Sequence, residues 1–121
     1  MTDTDALSAW QQVVSGEDAA IYAYGLAGAR VASASRERAA RGRREHQQAR
    51  ARAAGFITQA TGEVPEPVPA YDIGPLPADA TEAAGVLARI ELALVPVYAA
   101  AAGASETAQR RSAVAEARRN E

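Results

Sequence analysis

Sixteen consecutive residues, Gly62 to Pro77 (GEVPEPVPAYDIGPLP), hold five of the chain's 6 prolines. Such a segment cannot be helical, because each proline lacks the backbone N–H and clashes with the preceding turn. An extended Pro-rich segment covers about 3 Å per residue, so this one can span about 45 Å. A 20-residue helix is only about 30 Å long. The segment therefore reads as a stiff, ordered strap that runs the full height of a helical bundle. It lets the helix after it point the same way as the helix before it.

The flanking stretches carry helical periodicity. The first predicts a helix over about 4–33, capped by Asp3 or Thr4, with Asp5 near the positive end of the helix dipole. Its stripe reads Leu7, Trp10, Val14, Glu17, Ile21, Tyr24, Gly28, Val31, an unbroken 3-4 spacing. A break is expected at Ser33, Ala34 and Ser35, where hydroxyl side chains compete for the backbone. A second helix over about 36–61, ending at Gly62, has the stripe Ala39, Gly42, His46, Ala49, Ala53, Phe56, Ala60. After the strap (62–78), a third helix over about 79–103 starts at Asp79 or Thr81. Its stripe is Ala80, Ala84, Leu87, Glu91, Leu94, Tyr98, Ala101, and Pro96 predicts a kink within it. Ser105 is expected to cap a fourth helix over about 105–119 with a thin apolar face. No internal repeat is evident. The plan is all-α: one domain over 1–121, arranged up, down, long crossover, down, up.

Composition agrees with close helix packing. Ala supplies 32 of the 121 residues, and Val, Ile and aromatic residues are too few for a sheet. All 13 basic residues are Arg, against 15 acids, for a net charge of −2, which argues against a general polyanion binder. The chain has 0 cysteines and 1 histidine. Disulfides, thiolate metal sites and His-rich metal sites within one chain are therefore excluded. There is no uninterrupted run of eighteen apolar residues, and the start MTDTD is acidic where a signal peptide would be basic. The expectation is a soluble cytoplasmic protein with no membrane partner.

Three of the stripes each hold one ionisable residue: Glu17, His46 and Glu91. A carboxylate facing a core is costly unless a cation, a metal or a hydrogen-bond network pairs it. Two carboxylates and an imidazole from facing helices are also ingredients of a bundle-core metal site for iron, manganese or zinc.

Several segments carry a family resemblance. Gly16 to Arg30 (GEDAAIYAYGLAGAR) resembles the first helix of a small ferritin-like family of unknown function from high-G+C bacteria. Glu45 and His46 resemble its second helix, Ala70, Tyr71 and Asp72 onward its strap, and Ile90 and Glu91 through Tyr98 and Ala99 its third helix. The resemblance covers about residues 7 to 103. It implies a ferritin-like four-helix bundle with the long crossover between helices 2 and 3. Di-iron members use Glu on helices 1 and 3 and Glu-x-x-His on helices 2 and 4. Glu17, Glu91 and His46 match three of those positions. Arg43 replaces the carboxylate before His46, and helix 4 has no histidine, with Glu116 its nearest candidate. A dinuclear site needs about six protein ligands, so a degenerate site is expected. Arg43 lies one turn from His46, and its guanidinium could enter the space of a metal. The expected arrangement is then a buried, metal-free network of Glu17, Arg43, His46 and Glu91. The alternative is a metal site built from Glu17, His46 and Glu91.

The remaining features read blandly. Arg36 to Arg52 carries seven Arg and two Glu, but the arginines spread around the helix with no aromatic between them. That suits a solvated face or a strip meeting an acidic partner better than nucleic acid. Gly25 and Gly28 read as helix contact points, and Tyr24, on the stripe, as core. Tyr22 and Tyr24 otherwise resemble redox tyrosines. No phosphate loop, Gly-x-Ser-x-Gly elbow or HExxH motif is present, and no catalytic residue is assigned. Large apolar residues are scarce, so Trp10, Phe56 and Tyr98 are expected to extend into a partner copy, as a homodimer. The functional expectation is a non-catalytic scaffold or interaction module.

Overall fold

The computed structural model describes residues 4–119, whose regular structure is helical with no strand among them. Three α-helices follow in order: α1 (Thr4–Ala27), α2 (Arg36–Gln59) and α3 (Ala80–Arg119), with a short 3-10 turn at Ser33–Ser35 before α2. Asp3, one of two expected caps of α1, lies outside the described residues.

The expected fourth helix is a correction. α3 runs unbroken for 40 residues through Pro96, Gly103 and Ser105, so the described residues form three α-helices where four were expected. Ser105 does not cap a helix. Its hydroxyl accepts a hydrogen bond from Trp10 Nε1 at 2.8 Å. Without a proline or a strained turn after Gly103, the Ala-rich sequence simply continues as helix. α1 is also shorter than its stripe suggested, ending at Ala27, where Gly28 N–H closes the last turn on Tyr24 O. Val31, outside the helix, still packs into the core. α2 ends at Gln59, and its reversal is made by Thr61, whose φ of 57° is left-handed.

α1 is the central element. It packs against both α2 and α3, while those two make no backbone-level contact with each other. Pairings such as Trp10 with Ser105 and Glu17 with Tyr98 show that α3 runs antiparallel to α1. Glu17 with His46, and Gly42 against Tyr24, show the same for α2. The observed order is up, down, crossover, down.

Flanked on two sides, α1 buries a wider arc than its stripe: Val13, Val14, Glu17, Asp18, Ala20, Ala23 and Ala27. The stripes of the other two helices hold in part, with Ala39, Ala53, Leu94 and Ala101 buried as expected, and shift by one residue elsewhere. α2 buries Ile57 and leaves Phe56 half exposed against the Trp10 ring, with centroids 5.0 Å apart. α3 faces α1 with Ala83, Val86, Leu94 and Ala101, which leaves Glu91 at the edge of the buried arc.

The strap climbs α1 from one end to the other. Gln11 Nε2 donates to Glu63 O, Arg50 donates to Pro65 O, the Tyr22 and Tyr71 rings pack together, and Arg30 donates to Pro77 O. At its end Asp79 Oδ1 accepts from Glu82 N–H while Glu82 Oε2 accepts from Ala78 N–H. This reciprocal box satisfies N–H groups at the start of α3.

One 18-residue window of α3 has mean hydropathy 1.6, with 17% of it buried, so this helix is long and apolar enough to cross a membrane by length and composition. Counting uninterrupted apolar residues overlooked it because Arg89 and Glu91 break the run.

Two glycines inside α2 test the packing with opposite signs. A Cβ at Gly42 would lie 2.5 Å from the Tyr24 ring, whereas one at Gly55 meets nothing within 4 Å. Gly42→Ala should therefore lose about 1–2 kcal/mol of unfolding free energy in spite of better helix propensity. Gly55→Ala should gain about 0.5–1 kcal/mol, both read by urea denaturation.

Candidate functional site

Glu17 on α1, His46 on α2 and Glu91 on α3 meet at mid-height. Glu17 is 2% exposed and is among the largest fully buried side chains. His46 lies between the two carboxylates, with Nδ1 2.6 Å from Glu17 Oε1 and Nε2 2.5 Å from Glu91 Oε1. Both partners are acceptors, so both ring nitrogens donate and the ring is an imidazolium. Glu17 Oε2 accepts from the Tyr98 hydroxyl at 2.6 Å, and Glu91 Oε1 also accepts from the Tyr24 hydroxyl at 2.7 Å. The result is one chain of hydrogen bonds, Tyr98–Glu17–His46–Glu91–Tyr24.

Helical spacing explains the arrangement. Glu17 and Tyr24 are seven residues apart on α1, and Glu91 and Tyr98 are seven apart on α3. Seven residues are close to two turns, so each pair shares a face. Because α1 and α3 are antiparallel, each glutamate meets the other helix's tyrosine. Gly42, one turn before His46, makes room for the Tyr24 ring, whose centroid is 5.1 Å from that of the imidazole.

Arg43 is a correction. It was expected to neutralise the carboxylates, but it is exposed and its guanidinium lies over Gly25, outside the cluster. The positive charge between the glutamates is the His46 ring instead. The cluster is also less enclosed than expected: the Glu91 side chain is 49% exposed. From the sequence, Tyr24 reads as core, or else as a redox tyrosine, and Tyr98 as partner-facing; neither is placed in the cluster. The signal that identifies them is the Glu-x6-Tyr spacing, which occurs at Glu17/Tyr24 and again at Glu91/Tyr98.

A second buried charge pair was not anticipated. Asp18 is buried on α1 and accepts from Arg50 Nε at 2.9 Å, and Arg50 also donates to Pro65 O. One arginine of the Arg36–Arg52 stretch thus turns inward to join α1, α2 and the strap. Asp18 Oδ2 has no hydrogen-bond partner among the described residues.

The electrostatics follow the geometry. The hydrogen bond to Glu17 raises the His46 pKa to about 9, against opposition from burial and with further support from Glu91. Burial pushes Glu91 up, but hydrogen bonds from Tyr24 and His46 and the imidazolium charge leave it below the usual range. Burial first, then the adjoining glutamate, raises both Tyr24 and Tyr98, so both phenols stay protonated.

The donor set does not fit the dinuclear metal site that the ferritin-like resemblance implies. Among the described residues no group of three or more His, Asp or Glu side chains is arranged to hold a metal ion. The imidazole stands between the two carboxylates with a nitrogen committed to each, so the three cannot converge on one ion without turning the ring. Glu116 lies on the exposed far end of α3, about 37 Å along the helix from Glu91. The cluster can hold a proton firmly between two helices and offers no activated nucleophile. An open cleft of about 330 Å³ reaches His46 itself, between Tyr24 and Glu91 on one side and Arg38, Arg41, Gly42 and Glu45 of α2 on the other.

Together these features define an all-helical protein built around a central helix, with a His–carboxylate–Tyr cluster joining its three helices. The chain belongs to the family described as a domain of unknown function, DUF4439, whose model matches residues 9–120. No curated protein and no solved structure matches the chain.

The raised His46 pKa makes stability fall with alkaline pH. Relative to an unfolded value near 6.5, the contribution is fully present below pH 6.5 and is lost as pH rises through about 9. It amounts to about 3 kcal/mol at most. The urea midpoint should therefore fall between pH 6.5 and 9.5, and that slope should vanish in His46→Gln. At pH 7, His46→Ala should cost about 3–5 kcal/mol, because Glu17 is left buried and charged without its cation. Arg43→Ala should stay within about 0.5 kcal/mol of the parent.

Proposed function

We propose that the protein is a ferritin-like helical scaffold or interaction module of the cytoplasm, non-catalytic, with a degenerate metal site. In this reading the hydrogen-bonded His–carboxylate clamp takes the place of the metal that di-iron ferritin-like proteins hold. The order of α1, α2, long crossover and α3, running up, down, down, supports the ferritin-like reading. The observation that supports the absence of a metal is the commitment of both His46 nitrogens and both Glu17 oxygens to hydrogen bonds. Each nitrogen of His46 is bound to a carboxylate, and the second oxygen of Glu17 is bound to Tyr98.

The clamp has a structural task that needs no metal. α2 and α3 make no backbone-level contact with one another, and the imidazolium joins them by neutralising a carboxylate from α1 and another from α3. A charge-assisted pair of this kind, buried on the Glu17 side, holds register as much as it adds stability.

Anaerobic loading with Fe(II), Mn(II) or Zn(II), followed by desalting and metal analysis, tests the reading. No metal above the level of Glu17→Ala and Glu91→Ala controls should remain. Retention of about one ion per chain that both substitutions abolish would replace the clamp with a mononuclear site.

A further inference from the structure

The outward face of α3 is apolar although none of the described residues covers it. Its inward face is set by Ala83, Val86, Leu94 and Ala101 against α1. On the opposite side, Gly85, Ala88, Leu92, Val95, Ala99 and Ala102 form a second stripe at 3-4 spacing with no charged member. Leu92 is 71% and Val95 64% exposed, in a molecule whose core consists largely of alanine and valine. A helix that is apolar on both faces is normally covered on both.

The pattern of this stripe says what covers it. Its spacings run 3, 4, 3, 4, 3, the same in either direction, and its sizes run small, small, large, large, small, small. Reversing the stripe about the midpoint between Leu92 and Val95 reproduces it. That is the self-complementarity required when one surface patch meets its own copy across a two-fold axis. We propose that the protein forms a homodimer through this face, with α3 packed antiparallel on α3 of a second copy. Leu92 then lies opposite Val95 of the partner copy, Ala88 opposite its Ala99 and Gly85 opposite its Ala102. The small residues at both ends let the two backbones approach closely over roughly 27 Å.

Charge agrees with the same register. The start of α3 carries Asp79 and Glu82, and the far end of the stripe leads to Arg110. Antiparallel pairing in this register brings Asp79 of one copy within a turn of the partner copy's Arg110, whereas parallel, in-register pairing sets like charges together. Arg110 is already ion-paired with Glu106 of its own helix, so the charge contribution to the seam is small and the apolar stripe carries the contact. A two-helix contact of this length is near the low end for specific interfaces, so the dissociation constant should lie in the micromolar range. The dimer surface goes beyond the clamp reading and does not depend on it, since no stripe residue belongs to the His46 cluster.

The absence of cysteine from the chain allows a direct test. Two preparations, Ala88→Cys and Ala99→Cys, are mixed and oxidised mildly, and each is also oxidised alone. The mixture should give cross-linked dimer several-fold more efficiently than either variant alone. Sedimentation velocity of the parent between about 1 and 200 μM should show a monomer–dimer equilibrium, which Leu92→Arg abolishes while far-UV circular dichroism stays unchanged. Preferential cross-linking of Ala88→Cys with itself, or a parent that remains monomeric throughout, would overturn the proposal. A monomer that instead sediments with phosphatidylglycerol–phosphatidylcholine vesicles, and loses this in Leu92→Arg, would also overturn it and assign the stripe to a lipid surface.

Discussion

One imidazole holds α2 and α3 together at the centre of this molecule. The two helices have no backbone contact with each other, and both depend on α1 for their apolar packing. His46 crosses the space between them with a short charge-assisted hydrogen bond on each side. The buried carboxylate of Glu17 would be a heavy penalty in an Ala-rich core without that cation. Conversely, the ring keeps its charge because a carboxylate accepts from each of its nitrogens. Each member of the cluster is tolerable only because the others are present, which is the sense in which the rest of the fold depends on it.

Around that cluster the chain compensates for small side chains with ties. The strap is pinned along α1 by side-chain donors to its backbone carbonyls, chiefly from Gln11, Arg30 and Arg50. The Asp18–Arg50 pair does for the strap side of α1 what Glu17–His46 does for the other side. Trp10 joins the lower ends of α2 and α3 by packing on Phe56 and donating to Ser105. Side chains that reach across gaps replace the large aliphatic core that this composition lacks.

Much of the layout was legible in the residues. The prolines between 62 and 77 require a crossover, and Ser33–Ser35 marks a break close to where the structure places its 3-10 turn. Glu17, His46 and Glu91 stand out as polar members of apolar stripes, and the fold brings them together. What was misread has physical causes. Gly103 and Ser105 look like a helix end, yet nothing in the surrounding sequence forces the backbone to leave the α conformation. Arg43 has the right position on the helix surface to reach Glu17 and Glu91, but His46 is already there and the shorter, more rigid ring fits the narrow space. The two tyrosines look like ordinary core residues until both Glu-x6-Tyr pairs are placed on antiparallel helices.

The sequence by itself determined the helical class, the strap and the presence of costly charges on apolar faces, because these follow from local backbone chemistry and periodicity. Only the tertiary structure decided how the charges are balanced and how many helices there are. Those outcomes turn on distances of a few ångströms between helices far apart in the chain, and on the one-residue offset that moves Glu91 from the centre of a buried face to its rim. Periodicity defines a face to within a residue or two. Packing against the central helix selects which side of that face is buried, and with it whether a carboxylate meets a metal, an arginine or a histidine.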